Sequence, residues 1–398
     1  MSFPYIKQIH INSCFTHQNF DLPTTPVGEF KHIVITGKNG SGKTTILSRI
    51  AFQLNELKIN GKNKLDGINY LTGIIKANQR NPTRTLWEEQ INFYQDVDLF
   101  FLTDNIEKLT KGEEYIFSFF KAHRRVELQE VSTVSKENLF IKQLDGQNDP
   151  EKFASQFKQY LVNKKVYEAF DFMNKKTENV NQNQIFFQNL ESILKNVFGD
   201  KNLTLEFIQE NFEFYLNFSD GRKITFNQLS EGFSAFISIL MDLLMRVDLM
   251  RKSKSDYNFN PEGIVLIDEP ETHFHLEMQY QIFPLLTELF PKIQFIIATH
   301  SPAIISSITN AIVYDLSSKQ EVYGWQVGSS YSELMVNHFG LDNEFSPFAD
   351  KIIDKINQAV QSDDIEKLQT LIKDNEKYLT PSLKFEIENQ IIAIQSKK

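Results

Sequence analysis

Residues 37–44 read Gly37-Lys38-Asn39-Gly40-Ser41-Gly42-Lys43-Thr44 and fit the phosphate-binding loop pattern G-x-x-x-x-G-K-[ST] without a mismatch. The glycines allow a tight turn in which backbone N–H groups point at phosphate oxygens. The Lys43 ammonium suits the β- and γ-phosphates of a nucleotide, and the Thr44 hydroxyl suits Mg²⁺. The loop therefore predicts a nucleotide site, and its candidate contacts are Gly37, Asn39, Gly40, Ser41, Gly42, Lys43, Thr44 and Thr45.

The residues on both sides of this loop predict a strand and a helix. His32-Ile33-Val34-Ile35-Thr36 is typical of a buried strand. After the loop, apolar residues recur at helical spacing, namely Ile46, Leu47, Ile50, Ala51, Leu54 and Leu57. A helix that begins here directs the positive end of its dipole at the phosphates. Residues 20–30 are rich in turn formers and predict a turn region, and residues 60–67 predict a loop.

Two later strands end in side chains that suit phosphate chemistry. Gly263 to Glu269 is an apolar run that ends in Asp268 and Glu269, whose side chains leave in different directions because side chains alternate along a strand. One carboxylate can hold the Mg²⁺ shell while the other acts as a base on water. Ile293 to His300 predicts a second buried strand, and its position favours contact between His300 and a γ-phosphate.

The segment Leu229-Ser230-Glu231-Gly232-Phe233 opens a strongly apolar helix. Ser230 is a favourable N-cap residue, and Gly232 keeps the first helical turn open for a ligand. The same residues also fit a capped helix start that binds nothing, so both interpretations stay open at this point.

Gln79 and a basic triplet are less specific candidates. Gln79 could reach Mg²⁺ and the attacking water, although Gln90, Gln95 or a simply solvated glutamine fit equally well. The triplet His123-Arg124-Arg125 could contact a nucleic-acid phosphate. A charge run this short is more typical of a solvated strand end, and the sequence favours that interpretation.

The rest of the chain predicts one large head with an insertion and a tail. The head covers residues 1–330, with an insertion at about residues 97–226. Residues 151–198 lack glycine and proline and carry two amphipathic stripes, which predict a helical hairpin with the Asn/Gln-rich residues 178–184 between its helices. Residues 331–398 predict a helical C-terminal tail without a motif.

Composition excludes several classes of protein. The chain has 398 residues, of which 41% are hydrophobic and 23% are charged, as in ordinary globular proteins. A net charge of −9 gives no overall attraction to nucleic acid or acidic membranes. Cys14 is the only cysteine, which excludes intrachain disulfides and cysteine-rich zinc sites. We expect a cytoplasmic protein without a membrane partner, because no signal-peptide core and no membrane-spanning run is found.

These motifs, in this order, resemble the ABC-type ATPase head of RecF, SMC and OLD-like proteins, in the branch of AAA_21 type. The resemblance covers most of the chain and rests on the loop Gly37–Thr44, the signature-like Leu229–Phe233, the Walker B run Ile264–Glu269 and the switch His300. The segments Asp268-Glu269-Pro270-Glu271 and Thr299-His300-Ser301-Pro302 are similar to those of stand-alone phage-defence ATPases, such as those of Septu, PARIS and retron systems.

The resemblance implies an α/β fold. This is a P-loop NTPase head with a mixed central sheet flanked by helices and an antiparallel β lobe, to which a short helical-hairpin insertion and a helical C-terminal tail are added. It also implies that ATP is bound with Mg²⁺ and hydrolysed to ADP and phosphate. Lys43 and the loop backbone would hold the phosphates, and Thr44, Gln79 and Asp268 would attend Mg²⁺.

The resemblance further implies a catalytic and an assembly role for the remaining motifs. Glu269 would be the general base, and His300 would sense the γ-phosphate. Ser230 and Gly232 would meet the γ-phosphate bound to a second subunit, so that two ATP molecules are enclosed in a head-to-tail homodimer, with higher oligomers left open. ATP binding would close the dimer and hydrolysis would release it. We therefore expect a nucleotide-switched regulatory or sensor subunit of an antiphage defence system, with a separate effector such as a nuclease or toxin.

Some positions depart from the family pattern, and other functions stay open. Glu231 and Phe233 replace residues of the transporter signature, and residues 271–275 match no D-loop. The adenine-stacking aromatic could be Phe15 or Phe20.

The alternative functions are RecF/SMC-like DNA repair or chromosome maintenance, a transporter subunit, and a tRNA nuclease with a built-in ABC head. The acidic net charge and the short hairpin disfavour DNA maintenance, and the altered signature disfavours a transporter subunit. The tRNA nuclease is disfavoured because no recognisable set of nuclease residues is found. Nucleic acid remains a candidate ligand.

Overall fold

The computed structural model describes residues 3–61, 63–78, 81–110, 115–124, 127–135, 140, 149–272, 274–307, 310–321, 354–356, 358–360, 362, 364–375 and 381–395. The chain divides into two compact units, Met1–Tyr331 and Ser332–Lys398.

Six strands form the central sheet of the larger unit. In order across the sheet they are β12 (Gln320–Glu321), β11 (Ala311–Asp315), β3 (His32–Thr36), β10 (Ile293–Ala298), β9 (Gly263–Asp268) and β5 (Ile116–Phe120). All neighbours are parallel except β12, which is antiparallel to β11. Every residue of β3, β9 and β10 is buried. The apolar runs in the sequence predicted this burial, because parallel strands are usually covered on both faces of the sheet.

The carboxyl ends of the parallel strands lie at one edge of this sheet, where α/β folds bind their ligands. The phosphate-binding loop follows β3 and leads into helix α1 (Lys43–Asn60). Glu269 follows β9, and helix α9 (Leu276–Leu289) comes after it. His300 follows β10 and precedes the short helix α10 (Pro302–Ser307). The fold thereby collects motifs that are far apart in the chain.

A second, antiparallel sheet completes the core around α1. Its strands, in order, are β2 (His17–Leu22), β1 (Ile6–Cys14) and β4 (Val97–Phe101). The predicted turn region at residues 20–30 is wrong for residues 20–22, because Phe20 pairs with Ile11 and Leu22 pairs with Ile9. Leu22 joins the buried core, so the burial of its side chain favours a strand over a turn here.

Between α1 and the edge strand β5, the described part of the chain forms three helices in addition to β4. They are α2 (Lys64–Ala77), α3 (Arg84–Asp96) and the short α4 (Glu107–Thr110). The predicted loop at residues 60–67 is wrong over most of its length, since α1 extends to Asn60 and α2 begins at Lys64. The Asn63 side chain caps α2 by accepting a hydrogen bond from the Asp66 backbone N–H, a local signal for a helix start.

The predicted helical hairpin is present, followed by a small antiparallel sheet and a buried helix. Its helices are α5 (Pro150–Ala154), α6 (Phe157–Met173) and α7 (Thr177–Phe198); after them come β6 (Thr204–Ile208), β7 (Glu213–Asn217), β8 (Lys223–Thr225) and α8 (Glu231–Ser253). The prediction that residues 178–184 separate the helices is wrong, because this stretch forms the first turns of α7. Glu178, Asn181 and Gln184 are exposed there, whereas Val180 is buried.

The smaller unit contains the helices α11 (Ile365–Asp374) and α12 (Pro381–Gln395). Its described residues include an apolar cluster of Ile356, Ala359, Leu368, Ile387, Ile391 and Ile394. Across the described parts of the whole chain, no helix combines the length and the apolar character that crossing a membrane requires.

Candidate functional site

A cleft of about 380 Å³ lies at the carboxyl edge of the central sheet. Its lining residues are Phe15, Asn39, Gly40, Ser41, Gly42, Lys43, Thr44, Thr45, Glu269 and His300. The structure thus brings together the loop residues, the carboxylate and the histidine that the sequence singled out. Gly37 does not line the cleft, and its carbonyl instead accepts a hydrogen bond from Lys43.

The backbone conformation of the loop explains why it contains glycines. Gly42 directly precedes α1 with φ +93°, and Gly37 has φ +140°. A Cβ at Gly37 would lie 2.9 Å from Ser41 Oγ, so a side chain there would deform the loop. Because the first N–H groups of α1 follow immediately, the helix terminus and the loop together have the backbone geometry that suits an anion.

Lys43 is held inside the loop. Its Nζ donates to the carbonyl oxygens of Gly37 at 2.8 Å and Lys38 at 3.2 Å, and the side chain is buried. Burial lowers the pKa of Lys43, and the nearby carboxylates of Glu269 and Asp268 oppose that shift. The ammonium is therefore positioned by backbone carbonyls at the floor of the cleft.

Thr44 and Asp268 form the pair that fits a magnesium ion. Thr44 Oγ1 donates to Asp268 Oδ2 at 2.8 Å. The other carboxylate oxygen, Asp268 Oδ1, is buried and has no hydrogen-bond partner among the described residues. Burial raises the pKa of Asp268, so a nearby cation would stabilise its ionised form. One hydroxyl and one carboxylate, together with phosphate oxygens and water, are typical ligands of Mg²⁺.

Glu269 occupies an unusual backbone conformation at the end of β9. Its φ is +47°, a region that residues other than glycine seldom adopt. The backbone N–H donates to the Ala298 carbonyl at 2.8 Å, and the Glu269 carbonyl accepts from Thr272 Oγ1 at 2.8 Å. The side chain reaches the cleft. The neighbouring His300 imidazole lowers the pKa of Glu269, which favours the ionised carboxylate.

His300 lies between two carboxylates. Its Nδ1 is 3.6 Å from Glu269 Oε1 and 3.3 Å from Glu271 Oε1. Glu269, and after it Glu271, raises the pKa of His300 against the opposing effect of burial. Since Nδ1 is directed at the carboxylates, Nε2 is the ring atom available to a ligand in the cleft.

Glu271 is a site residue that the sequence analysis did not assign. Its side chain is 3% exposed, and Oε1 accepts from Thr299 Oγ1 at 2.6 Å and from the His300 backbone N–H at 2.9 Å. Burial raises the pKa of Glu271. The signal in the sequence was an acidic residue two positions after Glu269, but its target lies on another strand end.

Arg124 corrects the interpretation of the basic triplet. The favoured solvated strand end and the nucleic-acid contact are both wrong for this residue, which is 4% exposed. Its guanidinium donates to the backbone carbonyls of Asp268 and Glu269. His123 is exposed, and Arg125 lies outside the described residues. The physical reason is topological, because β5 runs parallel to β9 and delivers residues 121–124 to the same edge.

The signature residues Ser230 and Gly232 do not line this cleft. Ser230 is exposed at the N-cap position of α8, and Gly232 is buried in its first turn. The Ser230 side chain makes no capping hydrogen bond in the described structure, although a capping role was expected. Gln79 lies outside the described residues, so its role stays a prediction.

The two aromatic candidates for an adenine contact differ in exposure. Phe15 is 62% exposed, has φ +58° and lines the cleft beside Gly42. Phe20 instead stacks on Tyr314, with ring centroids 5.6 Å apart, and packs against the core. Only Phe15 offers a free ring face at the cleft, so the geometry favours it.

Comparison with known proteins places these features in a family. Residues 33–306 match the family AAA_21, described as "AAA domain, putative AbiEii toxin, Type IV TA system". Septu protein PtuA of Bacillus thuringiensis is 27% identical over 170 residues, covering 40% of this chain and 43% of that protein. "Retron Vc95 probable ATPase" of Vibrio cholerae serotype O1 biovar El Tor is 36% identical over 91 residues, covering 23% of this chain and 18% of that protein. The matches thus span less than half the length of either relative.

One solved structure that aligns with this chain is the Smc head domain of Pyrococcus furiosus with an extended coiled coil, bound to the C-terminal domain of ScpA. It aligns with a TM-score of 0.40 and 13% identity, over 80% of this chain and 95% of that chain. The family match to residues 33–306 is the decisive finding, since it includes every cleft-lining residue except Phe15. The chain therefore belongs to the AAA_21 family of ABC-type ATPases.

Proposed function

We propose that this chain binds ATP with Mg²⁺ and hydrolyses it to ADP and phosphate. The observation that carries the proposal is the convergence of Lys43, Thr44, Glu269 and His300 on one cleft at the end of parallel strands. A phosphate loop, a carboxylate base and a histidine sensor are the groups that phosphoryl transfer to water requires, because that chemistry depends on positioning and charge stabilisation.

Each residue has a defined part in the proposed reaction. Lys43 exchanges its bonds to the loop carbonyls for bonds to phosphate oxygens, and Thr44 with Asp268 holds the metal. When bound, Mg²⁺ neutralises charge on the phosphates. Glu269 accepts a proton from the attacking water, and its lowered pKa keeps it ionised at neutral pH. His300 Nε2 donates toward the γ-phosphate while Nδ1 stays with the carboxylates.

Two further contacts belong to the same proposal. Phe15 stacks on the adenine, since its exposed ring stands beside the loop residue Gly42. Ser230 and the first turn of α8 contact the γ-phosphate held by a second subunit. An exposed serine at the start of a long helix, with no capping bond of its own, suits an anion from outside the chain. The assembly is then a head-to-tail homodimer closed by ATP.

We place the ATPase in a defence system as a regulatory subunit that acts on a separate effector, such as a nuclease. Support comes from the similarity to Septu protein PtuA and to the retron ATPase. Slow hydrolysis in a closing dimer suits a timing role, because ATP binding and release give the complex two states.

The test of the activity is phosphate release by the purified protein with ATP and Mg²⁺. Glu269→Gln is expected to lower kcat about 100-fold or more, since general-base catalysis is worth roughly that much. Lys43→Ala is expected to abolish ATP binding as well. The matched control Glu277→Gln changes an exposed glutamate on α9 and should keep the wild-type rate. A Glu269→Gln protein with unaltered turnover would contradict the assignment.

The test of the biological role is to isolate tagged Glu269→Gln protein with ATP from its own cells and identify what copurifies. A nuclease or other toxin at a fixed ratio is the expected result. Duplex DNA with no protein partner would instead favour the DNA-maintenance alternative, and wild-type protein isolated in parallel shows whether retention depends on trapped ATP.

A further inference from the structure

Arg124 lies where the sheet topology brings the end of β5 beside the end of β9. The two strands pair in parallel with Phe120 opposite Ile267, so the residues after β5 run alongside Asp268 and Glu269. Arg124 is 4% exposed, and removing a guanidinium from water is unfavourable unless the surroundings compensate for it. Burial lowers the pKa of Arg124 to about 10, still far above neutrality, so the side chain is charged.

The compensating contacts are backbone carbonyls that belong to the proposed catalytic segment. Nη1 donates to the Asp268 carbonyl at 2.6 Å and to the Lys121 carbonyl at 2.5 Å. Nη2 donates to the Glu269 carbonyl at 3.0 Å. One planar guanidinium therefore bridges the two consecutive peptide groups that carry the metal-binding and the basic carboxylate. A fork of this geometry is specific to arginine.

The backbone of Glu269 needs such support. With φ +47°, it occupies a conformation that an ordinary residue keeps only where its surroundings impose it. Its carbonyl accepts from Arg124 and Thr272, and its N–H donates to Ala298. This conformation directs the Glu269 side chain to the cleft and to His300.

We infer that Arg124 is the positioning residue that holds Asp268 and Glu269 in their reactive arrangement by clamping both backbone carbonyls. The inference rests on the proposed function, and it adds a residue that touches neither the nucleotide nor the water. Both terminal nitrogens are committed to carbonyls, so they are not directed at a phosphate in this structure. Arg124 acts through Asp268 and Glu269.

The experiment is a double-mutant cycle between Arg124→Lys and Glu269→Gln, measured as steady-state hydrolysis of ATP. Lysine keeps the charge but replaces the planar fork by a single nitrogen, which cannot occupy both the Nη1 position at the Asp268 carbonyl and the Nη2 position at the Glu269 carbonyl. Arg124→Lys is expected to lower kcat at least about tenfold in the wild-type background, with the KM for ATP changed less than about threefold. In the Glu269→Gln background the same substitution should lower the residual rate by clearly less, about threefold or under, because the base is already gone and only the effect through Asp268 remains.

The matched control is Arg222→Lys, which makes the same replacement at an exposed arginine of the β7–β8 turn and should leave the rate unchanged. Arg124→Gln serves as a second variant, since a neutral amide can bond to one carbonyl without burying a charge. Melting temperatures and ATP affinity establish that each variant is folded.

The possible outcomes distinguish a failure of this inference from a failure of the proposed function. An equal loss of rate in both backgrounds, or an unaltered kcat in Arg124→Lys, overturns the inference while the proposed ATPase stands. If neither Arg124 variant folds, the residue serves stability and the inference is wrong. If the wild-type protein does not hydrolyse ATP at all, the proposed function fails, and the inference fails with it.

Discussion

Glu271 is the residue that sets the charge environment of His300 from behind the cleft. Its Oε1 is 3.3 Å from His300 Nδ1, and together with Glu269 it raises the pKa of His300. Glu271→Gln keeps an oxygen for Thr299 but removes a negative charge. We expect the pKa of His300 to fall, and NMR titration of its ring measures the shift directly.

The direction in which stability changes with pH follows from proton linkage. Because the pKa of His300 in the folded protein lies above its ordinary value, ion pairing stabilises the protein fully at low pH. That stabilisation is lost as the pH rises through the raised pKa. In Glu271→Gln the loss moves to lower pH, whereas the exposed control Glu277→Gln leaves the titration in place. A His300 titration curve that is the same in Glu271→Gln and wild type would contradict the assignment.

His32 makes stability sensitive to acid by the opposite mechanism. Burial lowers the pKa of His32 to about 4, and its Nδ1 accepts a hydrogen bond from the Phe295 backbone N–H. In the unfolded chain histidine titrates near its ordinary pKa of about 6.5. Between these two pKa values the unfolded state therefore binds a proton that the folded state excludes. The contribution of His32 to stability is complete above the ordinary pKa and is lost as the pH falls toward the pKa of the folded state, about 4.

The expected loss from His32 is about 2 kcal/mol between about pH 7.5 and pH 5, from the linkage relation for one group. His32→Asn offers an oxygen to the Phe295 N–H but does not titrate in this range. Urea unfolding of both proteins at both pH values measures the difference. The prediction fails if the free energy of unfolding of His32→Asn falls as steeply with acid as that of the wild type.

Helix α2 contains two glycines whose surroundings differ completely. A Cβ at Gly67 would lie 2.2 Å from Cζ of Tyr94 on α3, whereas a Cβ at Gly73 would meet nothing within 4 Å. Tyr94 cannot easily move away, since it is 2% exposed, packs edge-on against Phe52 and donates to Glu56. The close approach of α2 and α3 therefore requires glycine only at the first position.

Replacing glycine by alanine is expected to change the free energy of unfolding in opposite directions at these two positions. Gly73→Ala should raise the free energy of unfolding by about 0.5–1 kcal/mol, because alanine has the higher helix propensity. Gly67→Ala should lower it by about 1–3 kcal/mol through overpacking against Tyr94. Denaturant unfolding of the pair tests this, and equal effects would mean that α2 does not pack on α3 as described.

At the scale of the whole molecule, the start of α8 is the surface that the proposed dimer needs. We expect Glu269→Gln protein with ATP and Mg²⁺ to scatter light at twice the monomer mass, because blocked hydrolysis keeps the dimer closed. Adding Ser230→Arg should return it to the monomer, since a bulky cation replaces the serine that we propose to contact the phosphate bound to the second subunit. Ser253→Arg, at the exposed opposite end of α8, is the control and should leave the dimer intact. Dimers that form equally with ADP would contradict the switch.

Sequence patterns predicted the strands and the cleft residues best where the information is local. The buried runs of β3, β9 and β10 were evident because parallel central strands are apolar at consecutive positions. The strand β2 was missed because its residues border a proline-rich turn, and its pairing with β1 is what stabilises it. The first turns of α7 were missed because exposed polar residues resemble a loop unless the buried side, here Val180, is known.

The sequence alone was enough to predict the phosphate-binding loop, Asp268 at the end of β9, Glu269 directly after it, and His300, because each depends on a short run of residues with its own backbone or strand pattern. The tertiary fold was needed to find the contacts of Arg124 and Glu271. Arg124 is 144 residues away from the Asp268 carbonyl that it binds, and Glu271 is 29 residues away from the His300 N–H. A backbone carbonyl or N–H is the same chemical group at every position, so no side-chain pattern marks it as a partner. Burial and parallel strand pairing alone select these contacts.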